Sequence, residues 1–392
     1  MSDSWNTEAS RQVRAWRVLH ACESAMDAEH LAEAQINVGM RPQVLAREFW
    51  IGANSASPSL MTAWHAVRDW RHVLNEAEAL TSVQIVHAHS FAAGMAAVRG
   101  SLPSVYDLQQ TLDEITGLNG GASAGPWMLR SFRVAEQFAL SRASAVVVHS
   151  ATMKQIACEN GATDSNVFVL PSPMAARALV PDPNWAALHG IDLGYHAVIF
   201  ALPALAGIEI ALRAFSALLS EIEHALLVFE LGEIDRDHLL RMARDLGVAD
   251  DIRCISADEH NQATACADLV IVPALGNSRH ENVAMLRVMA AGKAVVAADV
   301  PENRQCAPDG RGAFWFKDGD VNHLAHQAAF VARNFDLSRS QGENGRLSIT
   351  ENRALDVVGR RYEEVYRHAA SRRHDNIAKI AVPKLYTANV QV

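Results

Sequence analysis

In the stretch "QIVHAHS" (84–90) two histidines, His87 and His89, stand two residues apart. On a β-strand that spacing puts both imidazoles on one face. Imidazole can take up a proton near neutral pH or ligate a metal ion. A metal site would need a third ligand, which the sequence does not locate, and strand-end histidines hydrogen-bonded to loops are the commoner arrangement, so no metal is assigned. A second stretch, "HENVAMLRVMAAGKAVVAADV" (280–300), reads as a helix feeding a buried strand and carries Glu281 at the helix start and Arg287 inside it. Glu281 could grip a hydroxyl-bearing ligand, but a helix dipole favours a glutamate there whatever it binds. Arg213 falls in a helix body, where a solvated face is the plain explanation.

The elements that must position these residues alternate. "WRVLHAC" (16–22) suits a buried strand, and "DAEHLAEAQINVGM" places Leu31, Ala34 and Val38 at helical spacing behind Asp27 as an N-cap. Then follow the strand "PQVLA", a helix across 59–80, the strand 84–90, a short helix, the strand "PSVYDL", a helix over 126–142 and the strand 144–150. The second half repeats this order with strands "HAVIFAL", "HALLVFEL", "DIRCIS", "ADLVIVPA" and "GKAVVAAD". Continuous apolar runs imply strands covered on both faces, hence parallel βαβ units. The expected fold is α/β: two doubly wound Rossmann-like domains facing a cleft. Boundaries are expected at 1–172, a proline-rich linker at 173–195, 196–370, and a C-terminal extension at 371–392. In such sheets ligands bind beyond the carboxyl ends of the strands.

Composition removes some functions. The 35 Lys+Arg against 44 Asp+Glu give a net charge of −9, with no basic cluster interleaved with aromatics, so nucleic acid is not an expected partner. No run approaches the ~20 apolar residues that cross a bilayer, and the N-terminus carries no uninterrupted apolar segment; a cytoplasmic location is expected. The five cysteines, Cys22, Cys158, Cys254, Cys266 and Cys306, are far apart and read as reduced thiols.

The order of motifs resembles the retaining glycosyltransferases of the GT-B fold, family 4. "VQIVHAHSFAAGMAAV" is similar to the family's strand ending in His-x-His, and "PSVYDLQQ" to the strand after it. "RVAEQFALSRASAVVVHSATMKQ", "CADLVIVPA", "MAAGKAVVAADVPENRQ" and "DGRGAFWFKDGDVNHLAHQAA" match later elements, so the resemblance runs from about residue 16 to 370. It implies transfer of a sugar from a nucleotide-sugar held by the C-terminal domain to an acceptor on the N-terminal side, where it places His87, His89 and Asp107. The chemistry calls for cations at the departing diphosphate and carboxylates at the ribose and sugar.

Against that pattern the chain departs at four places. Leu202 and Ala206 stand where the family carries the Arg and Lys of its diphosphate clamp. Counting back from "MAAGK" puts Arg279 and Arg287 at the paired glutamates, with Glu281 two positions off. Gln109 occupies the position of the histidine after the "VYDL" strand; it can hydrogen-bond a sugar hydroxyl but does not change charge. The loop after the first strand has no glycine before Gly39, and Glu23, Asp27 and Glu29 make it acidic.

The expectation is a family 4-like protein of glycan or polysaccharide biosynthesis with a degenerate donor site, acting as a scaffold, a subunit or a binder of glycan or nucleotide. The alternative is an active retaining hexosyltransferase using Arg279 and Arg287 as replacement cations and Glu281 as a ribose ligand. An epimerase or hydrolase has no motif to point to. No cofactor is expected. The partners considered are a nucleotide-sugar or glycan, and a protein partner or second copy reached through "IAKIAVPKLYTANV" (377–390), as a docked strand or a tail.

Overall fold

The computed structural model describes residues 15–24, 26–47, 60–111, 126–202, 207–231, 235–274 and 281–381. They fall into two compact units, each built on one six-stranded parallel sheet. The first holds the described residues up to Val148, Lys154–Val169 and those from Gly359 on; the second holds His149–Met153 and Leu170–Val358.

In the first unit the strands are β1 (Arg17–Cys22), β2 (Arg41–Ala46), β3 (Ile85–Ala88), β4 (Ser104–Asp107), β5 (Ala145–Val148) and β6 (Val167–Val169), in the order β2-β1-β3-β4-β5-β6. The apolar runs at β3, β4 and β5 are buried throughout, as a strand covered on both faces must be. β2 is the edge, mostly exposed, and carries Pro42, whose missing N–H an edge tolerates. The chain leaves β1 to one side for β2 and returns on the other for β3, so the topological switch point lies between β1 and β3.

The second unit contains β7 (Ala197–Ala201), β8 (Ala225–Glu230), β9 (Ile252–Ile255), β10 (Leu269–Val272), β11 (Ala294–Ala298) and β12 (Ala313–Phe316), in the order β12-β11-β10-β7-β8-β9. Its switch point lies between β7 and β10. Both faces are packed: Leu212, Phe215 and Leu239 cover one side and Met285, Val288 and Met289 the other.

Several local expectations change. The first helix begins at Met26, so Asp27 lies inside it and is not its N-cap. Within the expected linker, Asp182 caps the short helix Pro183–Leu188, and Ala186 and Ile191 are buried in the second unit's core. The final helix runs unbroken from Leu355 to Ala381, so 371–381 continue it and 377–381 do not open a docked strand; 382–392 lie outside the described residues. From Gly359 on, this helix belongs with the first unit, where Gly359 packs so closely on the Ala34 carbonyl that a Cβ would have no room. Among the described residues no helix is long and apolar enough to cross a membrane.

Candidate functional site

At the switch point of the first unit His20 of β1 and His87 of β3 are register partners in adjacent strands. His89 follows two residues later on the same face, and Asp107 closes the neighbouring strand β4. His20, His87, His89 and Asp107 are all buried, at 0, 0, 6 and 2% exposure. The sequence expectation of an acceptor-side group at His87, His89 and Asp107 therefore meets a real spatial cluster, to which the structure adds His20, Gln35 and Tyr366.

The cluster is hydrogen-bonded in a definite direction. His20 Nε2 donates to Gln35 Oε1 at 2.9 Å, and the Gln35 amide donates to the Tyr366 hydroxyl at 2.6 Å. That hydroxyl reaches His87 Nδ1 at 2.8 Å. Burial, with His87 close by, pushes the His20 pKa down to about 3, against a smaller opposing pull from the Gln35 hydrogen bond and Asp107. His20 is therefore neutral, its proton sits on Nε2, and its Nδ1 accepts from His89 Nε2 at 2.9 Å. Burial first, then Asp107, holds the Tyr366 phenol well above its ordinary pKa, so it stays a donor and gives its proton to His87 Nδ1. Gln109, half-buried, approaches His89 Nδ1 at 3.3 Å. Asp107 Oδ2 lies 3.5 Å from His89 Nδ1 and 3.7 Å from His87 Nε2. His87 Nε2 is a buried ring nitrogen with no hydrogen-bond partner.

The residues expected to touch a donor lie in the second unit. Glu281 is buried beside Arg353, which grips it in a fork with contacts of 2.6 and 3.0 Å, and the Ser172 backbone N–H donates to its Oε2 at 3.2 Å. Arg353 itself is only 6% exposed, so this is an interior ion pair. Directly after Glu281, Asn282 caps the helix Val283–Ala290 through Met285 N–H. Arg287 is exposed on that helix, and no carboxylate among the described residues pairs with it. Arg279 and Ala206 lie outside the described residues. Leu202, just beyond β7, is 4% exposed and belongs to the apolar core. At the start of the following helix, Ile208–Leu219, the exposed Glu209 pairs with Arg213 at 2.6 Å, which puts Arg213 on the solvated face anticipated for it.

The part of the "MAAGK" motif that survives is structural. Gly292 turns the chain with φ +75°, and Lys293 Nζ donates to the carbonyls of Ala265 and Ala267 at 2.6 and 2.9 Å. These close the end of the helix His260–Cys266.

Sequence reasoning missed His20, Gln35, Tyr366 and Arg353. A histidine inside the apolar run "WRVLHAC" is the signal that could have flagged His20, because a polar group inside a strand covered on both faces must find partners there. Tyr366 and Arg353 gave none: they meet His87 and Glu281 across 279 and 72 residues.

Two six-stranded parallel sheets, each with its switch point, match the GT-B fold of solved glycosyltransferase structures. The family described as "Glycosyl transferase 4-like domain" matches residues 7–173, and "Glycosyl transferases group 1" matches residues 196–334. The chain belongs to this glycosyltransferase family. No curated protein matches it. Among solved structures it is similar to a glycosyltransferase from Rickettsia africae, with 14% identity, TM-score 0.68, and coverage of 91% of this chain and 99% of that one. Sucrose-phosphate synthase from Thermosynechococcus elongatus gives 13% identity, TM-score 0.66, and 91% and 99% coverage. Anabaena HepE in complex with UDP and glucose gives 13%, 0.65, and 90% and 99%.

Proposed function

We propose that this protein is a family 4-like member of a glycan or polysaccharide pathway whose sugar-transfer chemistry is impaired or lost, and that it serves as a scaffold, a subunit or a binder of glycan or nucleotide. The observation that carries this reading is the Glu281–Arg353 pair: Glu281, the carboxylate two positions from the aligned glutamate and the one available for a ribose, is buried and occupied on both oxygens by its own chain. Freeing it for a ligand would leave Arg353 charged and unpaired in the interior, at a cost of several kcal/mol. Leu202 in the core and the acidic Glu209 near the following helix start support the same reading, since a diphosphate needs cations there.

The alternative is an active retaining hexosyltransferase in which Arg279 and Arg287 replace the lost cations and Glu281 holds the ribose. Its support is Arg287, exposed and without an ion-pair partner among the described residues. Because the HepE structures hold UDP, glucose or UDP-glucose, UDP sugars are the first donors to try. Thermal-shift titration with UDP-, GDP- and ADP-sugars tests the alternative first, because a ligand at about 100 times its Kd adds ~2.7 kcal/mol to the folded state. No shift with any donor rules out an active enzyme; where a donor does bind, turnover separates the readings. Impaired chemistry predicts no donor hydrolysis or transfer with any of them. Turnover that Arg287→Ala abolishes would establish the rewired site instead. The cytoplasm as location and assembly with a protein partner or second copy belong to the same proposal.

A further inference from the structure

Three imidazoles brought together inside a parallel sheet call for an explanation. One ring nitrogen from each of His20, His87 and His89 lies within 4.8 Å of the other two. Tetrahedral ligands at the usual metal–nitrogen length of ~2.0–2.1 Å stand about 3.3 Å apart, so a modest closure of the rings would complete a three-nitrogen set. His20 Nδ1 and His89 Nε2 are already 2.9 Å apart. His87 Nε2 is wholly buried, has no hydrogen-bond partner among the described residues, and lies 3.7 Å from the Asp107 carboxylate.

The surroundings have the form that metal-bound histidines need. A ligating imidazole normally has its other nitrogen fixed by a polar group, which sets the tautomer and the ring direction. Here His20 Nε2 is held by Gln35 Oε1, His87 Nδ1 by the Tyr366 hydroxyl, and His89 Nδ1 lies beside Gln109 and Asp107. Asp107 adds a negative charge to balance a cation in a site with almost no access to water. In the hydrogen-bonded arrangement described above, a proton lies between His89 and His20, and a metal ion would take its place. The proton on His89 Nε2 would move to Nδ1, facing Asp107, and that on His87 Nε2 would move to Nδ1, where the Tyr366 hydroxyl rotates its own proton away and accepts. No net proton need leave.

We propose that His20, His87 and His89 form a binding site for a divalent first-row metal ion, with Asp107 balancing its charge and Gln35, Tyr366 and Gln109 orienting the rings. Imidazole ligands suit zinc, copper, nickel or cobalt better than magnesium or calcium. The site lies within the first unit and is independent of whether the donor site of the second unit works.

The test uses the full-length chain stripped with a chelator and titrated with Co²⁺, whose visible absorption reports ligand geometry. The expected result is a tetrahedral-type cobalt band saturating at one equivalent, displaced by Zn²⁺, and a rise in Tm with Zn²⁺. His87→Gln and His89→Gln should each weaken cobalt binding at least tenfold while keeping the far-ultraviolet circular dichroism of the parent. Absence of the band in the parent chain overturns the proposal and leaves the cluster as a proton-ordered hydrogen-bond network. A band unchanged in both variants overturns it too, by placing the metal elsewhere. If the variants fail to fold, X-ray absorption on the cobalt-loaded parent decides: three imidazoles bound supports the site, and fewer than three sinks it.

Discussion

The two switch points, alike in topology, are furnished in opposite ways. Between β1 and β3 the first unit buries three histidines, Gln35 and Tyr366, linked by hydrogen bonds that run from side chain to side chain, with Asp107 beside them. Just beyond β7 the second unit places Leu202 in an apolar core, and Glu281, the carboxylate considered for a donor, is tied to Arg353. Among the described residues, one sheet gathers buried polar side chains at its switch point and the other shows an apolar residue there. The same topology can thus carry very different side chains at its switch point, and function has to be argued from those side chains.

The largest effect expected from disturbing this contrast comes from Arg353. Arg353→Ala leaves Glu281 buried without its cation and should cost about 3–5 kcal/mol in chemical denaturation. Replacing both partners, as in Glu281→Leu with Arg353→Met, should recover most of that. If the double variant is as unstable as the single one, the pair does more than satisfy its own charges. Next comes acid, acting on the first unit. The folded chain holds the His20 pKa at about 3 against the ordinary 6.5, so between those values the unfolded chain binds a proton that the folded chain refuses. This contribution is fully present above pH 6.5 and is lost as pH falls towards 3, a change of a few kcal/mol; denaturation in chelator across that range, compared with His20→Gln, isolates it. A flatter pH dependence in His20→Gln is the expected outcome.

Tyr366→Phe removes the hydroxyl shared by Gln35 and His87 and should cost about 1–3 kcal/mol, since two buried groups lose a partner. At the bottom of the scale, Arg213→Ala removes only an exposed i,i+4 pair with Glu209 and should shift stability by about 0.5 kcal/mol or less. Cys306 provides a check without mutation: burial first, then the Glu281 carboxylate, pushes its thiol up to about 12, so alkylating reagents should spare it until the second unit unfolds.

How much of this could be read in advance follows from range along the chain. Strands such as "AVVV" and "LVIV" and the helix 126–142 are local patterns of apolar spacing, and the structure places them where that spacing says. The two-residue spacing was enough to put His87 and His89 on one face; Asp107 came only from the resemblance, and its place beside them depends on the pairing of β3 with β4. His20 sat in plain view but was absorbed into a strand pattern that scores only hydrophobicity. The roles of Glu281 and Tyr366 were beyond reach, because each is decided by a partner far away along the chain. The Asp27 cap failed for the opposite reason: a good capping residue was present, but the helix takes its first turn one residue earlier.

The final helix has a consequence for how the protein is made. A chain emerging from the ribosome completes all six strands of the first sheet by Val169, yet Gly359, Tyr362 and Tyr366 are synthesised only after the whole second unit. Until then Gln35 and His87 lack the hydroxyl that joins them, and the groove against Ala34 stands open. The part of the protein that starts first is therefore the part that finishes last, and a nascent chain halted at Val358 would carry the three histidines without Tyr366 and most of the helix that bears it.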